Sequence, residues 1–203
     1  MSEISTLREA LVEEIKDLYN AEKQLTKALP KLAKNATNPK LRDALTAHLR
    51  ETETHVKRLE QIFKELDEKP KGKLCEGMQG IIQEGNAMLE EVEEGAVMDA
   101  GIIAGAQKSE HYEMASYGTA IAWAGALGLG NVANLLNQTL VEEKAADEKL
   151  SAIAEAGVNE AATAGEDSEE EEEQPRASRA MSASAAASGR SAKARNARSR
   201  NGR

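Results

Sequence analysis

The sequence predicts an all-α fold, a four-helix bundle, on three observations. Hydrophobic residues fill 40% of the 203 positions but aromatic ones only 2%, and Ala and Leu supply most of the apolar mass. That is the vocabulary of packed helices rather than of sheets. Four long stretches repeat apolar residues at three- and four-residue spacing, the pattern of amphipathic helices. Short turn signals join the first stretch to the second and the third to the fourth, whereas about thirty residues separate the second from the third.

Each element has its own signature. The first helix is expected over residues 5–34, with Leu7, Leu11, Ile15, Leu18, Leu25, Leu29 and Leu32 on one face and Pro30 kinking or interrupting its end. Asn38-Pro39 is a cap followed by a proline, so the second helix starts there and runs to about Leu66. Residues 73–97 read as one or two short helices interrupted by Gly77, Gly80 and Gly85. The third long helix is expected from Met98 to about Ala126, and the fourth over residues 131–156, with Gly157 as its stop. Two antiparallel pairs joined by a long crossover are the connectivity of ferritin-like bundles. From about Ala161 the apolar period ends, so residues 1–160 are expected to form the bundle and 161–203 a disordered tail.

Charge divides the chain in the same place. Residues 166–173 carry seven acidic groups and no basic one, residues 174–203 carry eight Arg or Lys and no acid, and residues 1–165 hold 18 basic against 28 acidic groups. Such a body repels nucleic acid and attracts cations. The tail's basic stretch, without an aromatic residue, suits weak phosphate contact driven by counterion release. A lone cysteine, Cys75, permits no intramolecular disulfide. No stretch approaches the ~18 apolar residues of a membrane span, and a cytoplasmic protein is expected.

Polar residues interrupt all four apolar stripes. Placed at about 100° per residue, Glu22 lies mid-stripe in the first helix, and His48 and His55 project with Leu45 and Leu59 in the second, with Glu51 at the edge. Glu110, flanked by Glu113, falls between Ile103 and Tyr117, and Glu143 and Asp147 continue the line of Leu136 and Leu140. An unpaired buried ion costs several kcal/mol, against a domain stability of about 5–15 kcal/mol. Lys16, Lys23, Arg50, Lys57, Lys108 and Lys149 all point away from the stripes. Protonation, wetting or a bound cation remains, and mixed carboxylate and imidazole ligands suit iron or manganese before zinc. A wet or dimer-buried polar layer is the plainer alternative. Tyr19, Tyr112 and Tyr117 are read first as packing residues and second as partners of ligands, and His111 as off the stripe.

The runs Asp17-Leu-Tyr-Asn-Ala-Glu22, His48-Leu-Arg-Glu51, Glu110-His-Tyr-Glu113 and Glu142-Glu143-Lys-Ala-Ala-Asp147 resemble the YciE/YciF family of ferritin-like bacterial stress proteins. The resemblance implies a homodimer related in architecture to rubrerythrin. Together with the inward carboxylates and histidines, the expectation is a centre of two iron or manganese ions that reacts with peroxide or oxygen. Glu22 to His55 and Glu110 to Glu143 are both steps of 33 residues, as in a quasi-repeated helix pair. The second and fourth helices lack Glu-x-x-His and carry His48-x-x-Glu51, Glu51-x-x-x-His55 and Glu143-x-x-x-Asp147 instead. The candidate ligands are therefore Glu22, His48, Glu51, His55, Glu110, Glu113, Glu143 and Asp147. The rival reading is a non-enzymatic scaffold or nucleoid-associated protein that binds through residues 174–203.

Overall fold

Thr6 starts the first helix by a reciprocal cap: its hydroxyl accepts from the Glu9 N–H, and the Glu9 carboxylate accepts from the Thr6 N–H. Asn38 does the same work for the second, its side chain accepting from the N–H groups of Lys40 and Leu41 ahead of Pro39. In the computed structural model, which describes residues 4–164, the elements are α1 (Leu7–Asn35), α2 (Pro39–Glu65), α3 (Glu76–Glu91), α4 (Ala96–Ala126) and α5 (Gly130–Ile153). No strand occurs among the described residues, and no helix among them is long and apolar enough to cross a membrane.

The core divides in two along the bundle axis. One cluster joins the first half of α1 (Leu11, Ile15, Leu18) to the second half of α2 (Leu59, Ile62, Phe63), the second half of α4 and the start of α5. The other joins Leu25 and Leu29 of α1 to Leu41 and Leu45 of α2, Met98 and Ile102 of α4, and Leu150 of α5. Neighbouring helices are therefore antiparallel throughout, in the cyclic order α1, α2, α5, α4. The crossover through α3 carries the chain from one end back to the other. This is the predicted ferritin-like four-helix bundle. Each fully buried Leu or Ile stabilises it by about 1.5–3 kcal/mol.

Several local expectations need correcting. Pro30 does not interrupt α1, which continues to Asn35. Pro30 is exposed, and the Thr26 carbonyl it deprives of a donor lies at a half-buried position that water can satisfy. Nor do the glycines break α3, which is one continuous helix. Packing overrides propensity there: a Cβ on Gly77 would lie 2.7 Å from the Tyr112 ring, so glycine lets α3 sit down on α4. Gly157 does stop regular α-helix, with φ at 133° inside a π-helical stretch, Ala154–Val158. Helical backbone then resumes over residues 159–164, beyond the expected boundary at 160; the rest of the tail lies outside the described residues.

Asp99, at the start of α4, is buried and accepts from Thr37 N–H (2.8 Å), the Thr37 hydroxyl (2.5 Å) and Asn38 N–H (2.9 Å). It ties the α1–α2 turn to the first turn of α4.

Candidate metal centre

Between the two apolar clusters lies a polar layer to which each bundle helix contributes at mid-length: Glu22 from α1, His48, Thr52 and His55 from α2, Ser109, Glu110 and Glu113 from α4, Thr139 and Glu143 from α5. All are buried, with Glu22, His55, Glu113 and Glu143 at 0% exposure. The heptad spacing of His48 and His55 stacks the two imidazoles along one face of α2, their centroids 6.4 Å apart.

The layer contains two groups of three potential ligands, Glu22–His55–Glu143 and His48–Glu110–Glu143. In each, one donor atom per residue lies within 4.8 Å of the others, so a small movement of the side chains would close them around an ion about 2.1 Å from each ligand. Glu143 belongs to both: one oxygen lies 2.9 Å from His55 Nδ1 and the other 3.8 Å from His48 Nε2. His48 Nε2 is 3.1 Å from Glu110, and His55 Nδ1 is 3.4 Å from Glu22. Glu113 is in neither triad; both its oxygens are buried without a hydrogen-bond partner.

These side chains crowd together without satisfying one another. Among the described residues, the buried side-chain atoms that lack a hydrogen bond are Glu22 Oε2, His48 Nδ1, His55 Nδ1, Glu110 Oε2 and both carboxylate oxygens of Glu113 and Glu143. Every one of them belongs to this layer. Buried polar groups are ordinarily paired, so eight orphaned atoms in one place make the donor set a fit for cations.

The electrostatics agree. Burial by itself would depress both histidines, but nearby carboxylates outweigh it: Glu110 and Glu51 hold His48 well above 6.5, and Glu143 and Glu22 raise His55 to about 10. Burial pushes Glu110 up to about 8 against the pull of His48. Burial, and then repulsion from Glu22, Glu143 and Glu110, drives Glu113 well above the carboxylate range. Glu22 is also raised, first by burial. Only Glu143 is lowered in this cluster: burial opposes ionisation there, and His55 and then His48 overcome it. The layer therefore retains protons that a cation could replace.

Besides Glu113, two candidates stand apart from the triads. Glu51 has a half-exposed side chain 3.5 Å from His48 Nδ1. Asp147 accepts from the Gln107 amide at 3.0 Å and lies 3.4 Å from the exposed His111.

The surroundings hold one residue whose second reading applies, Tyr117, and others that the sequence reading overlooked. Tyr117, fully buried, donates to Glu22 at 2.5 Å, so it does more than pack. His55 Nε2 lies 2.9 Å from Glu142, which is gripped by both nitrogens of Arg58 at 2.7 and 3.1 Å. Arg58 escaped notice because its Cα lies off the apolar stripe while its long stem reaches back. A signal was present, since Glu142 adjoins Glu143 and Arg58 is one turn beyond His55. On the other side, a cavity of about 260 Å³ between α2 and α5 is walled by Ala44, Ala145 and Ala146 and ends on His48 and Glu110.

Comparison with known proteins places this arrangement in context. Residues 6–163 match the family described as a domain of unknown function, DUF892. Protein YciF of Escherichia coli (strain K12) is 45% identical over 160 residues, spanning 78% of this chain and 96% of the relative. The crystal structure of the E. coli stress protein YciF superposes with a TM-score of 0.74 at 44% identity, covering 77% of this chain and 99% of that one. The structure of YcfI from Rhodopseudomonas palustris gives 0.72 at 46% identity, covering 73% and 95%.

Proposed function

We propose, from the premise that the chain belongs to the DUF892 family of YciF-like proteins, that its bundle holds two iron or manganese ions in the polar layer. The eight orphaned atoms support this most directly. Glu22, His55 and Glu143 would hold one ion and His48, Glu110 and Glu143 the other, with Glu143 shared. Glu113, buried among the same acids, would supply a further carboxylate. Bound iron or manganese would supply a redox couple that peroxide or oxygen can oxidise.

The chain's own residues prepare the place. Glu142, anchored by Arg58, takes the outer nitrogen of His55 and so turns Nδ1 toward Glu22 and Glu143. Tyr117 holds one oxygen of Glu22 and leaves the other free. The apolar clusters above and below exclude bulk water, which strengthens each charge interaction inside. Glu51 and Asp147, outside both triads, would act on the centre through His48 and through the α4–α5 pairing respectively.

Elemental analysis of protein purified without chelator tests the reading. About two ions per chain are expected. Protein that stays metal-free after incubation with iron(II) and manganese(II), with its helicity intact, would leave the layer as a wet polar core.

The tail favours the rival reading, in which the bundle is a scaffold and the basic stretch does the binding. Its eight basic residues over 174–203 suit weak nucleic-acid contact, and deleting residues 164–203 should then abolish a salt-sensitive DNA mobility shift while keeping the bundle's helicity. A cytoplasmic location is proposed from the single cysteine, and a homodimer from the family resemblance.

A further inference from the structure

The two nitrogens of His48 face different surroundings. Nε2 points to Glu110 and Glu143. Nδ1 is buried, has no hydrogen bond, and lies 3.5 Å from Glu51. Glu51 and Lys149 line the exposed side of the α2–α5 cavity, and His48 and Glu110, whose side chains are 8% and 2% exposed, line its deep end. The walls between them are largely apolar, the methyl groups of Ala44, Ala145 and Ala146 with Leu45 and Leu150, which leaves a passage open to something small.

The oxygen and nitrogen donors along the passage suit a cation. Its ionisable lining is Glu51, Glu110, Glu142 and His48 with a single lysine, Lys149. Glu142 is already engaged by Arg58 and His55, while the ion pair of Glu51 among the described residues is with His48. In the other half, Glu22 and His55 are both 0% exposed.

Resting on the two-ion reading above, we propose that the α2–α5 cavity is the loading port of the centre. Glu51 is an outer capture site in it, taking a divalent cation from solvent and passing it to His48. Both ions then cross the His48–Glu110 half, and the one bound for Glu22 and His55 moves past Glu143, whose two oxygens face the two halves. A carboxylate at the mouth of the passage raises the local cation concentration and so the capture rate.

The test is a stopped-flow measurement with the full-length chain, stripped by chelator and mixed with cobalt(II) chloride. Visible absorbance gives the uptake rate and elemental analysis the final complement. Glu51→Gln is expected to slow uptake about tenfold with the complement unchanged, and Ala146→Phe, which plugs the wall, to slow it at least as much. Glu53→Gln, on the exposed side of α2, should match the wild-type rate. Uptake at the wild-type rate in both Glu51→Gln and Ala146→Phe, with helicity intact, overturns the port and leaves the two-ion centre standing. A reduced complement in Glu51→Gln at an unchanged rate makes Glu51 a resident ligand and also overturns it. No uptake by the wild type sinks the centre itself and the port with it.

Discussion

Around Glu143 the polar layer divides into His48 and Glu110 on one side and His55 and Glu22 on the other, each a histidine from α2 facing a glutamate from another helix. On the Glu22 side the outer nitrogen of His55 is clamped by Glu142 and Arg58, and Tyr117 holds the carboxylate. On the Glu110 side the outer nitrogen of His48 has no hydrogen bond, and its carboxylate ends on an open cavity. Similar residue types thus stand in a clamped, sealed position and in an accessible one. What distinguishes them is the second layer of partners. Such asymmetry suits a centre in which one ion stays put while small reactants meet the other.

The largest effect should come from removing what the halves share. Glu143→Gln should empty both positions, whereas Glu22→Ala and Glu110→Ala should each empty one. Metal content per chain reads this directly, and equal losses in all three variants would mean that the halves are not separate.

Next in size is a pH dependence confined to the metal-free protein. Glu110 rises in the fold from 4.5 to about 8, so its contribution is fully present below 4.5 and is lost as pH climbs through about 8. His55 rises from 6.5 to about 10, so its contribution is present below 6.5 and is lost toward pH 10. Both slopes have the same sign. The Tm of chelated protein should fall steadily from pH 6 to pH 9.5, and metal, by replacing the protons, should flatten that fall. A Tm that rises over this range would contradict the charge arrangement.

A smaller effect, of opposite sign to most core mutations, is expected at Glu113. Without metal its buried carboxyl has no partner and three acidic neighbours, so Glu113→Leu should stabilise the chelated protein by about 1–4 kcal/mol while weakening metal retention. Urea unfolding of stripped protein settles it; destabilisation would show that Glu113 is satisfied as it stands. The smallest expected change is Tyr117→Phe, which removes one hydrogen bond to Glu22, costs about 1–2 kcal/mol, and should speed metal loss from the sealed half alone.

Much of this was legible in the residues. Helical spacing located all four bundle helices and drew attention to Glu22, His48, His55, Glu110, Glu113 and Glu143, because a charged residue in a leucine's place is a local anomaly that periodicity exposes. Periodicity is blind to reach. Glu142 starts from the edge of its stripe and arrives at His55 by its length, as Arg58 arrives at Glu142, and Tyr117 looks like any aromatic core residue until its hydroxyl is placed. Asp147, in line with Leu136 and Leu140 on a helical wheel, turns to Gln107 and His111 because α4 supplies polar partners at that height. The α3 glycines misled for a related reason: they read as breaks, but what they provide is room beside Tyr112.

Asp99 has a bearing on the centre although it lies some way from it. By receiving the amides of Thr37 and Asn38 it sets α2 and α4 off from a common level. His48 comes ten residues after Asn38 and Glu110 eleven after Asp99, which at 1.5 Å per residue is about 15 and 16.5 Å along two diagonal helices that run the same way. The carboxylate works as a benchmark from which both ligand heights are measured. An inserted or deleted residue between benchmark and ligand would shift one side chain by about 1.5 Å and swing it by about 100°, enough to take it out of the centre altogether.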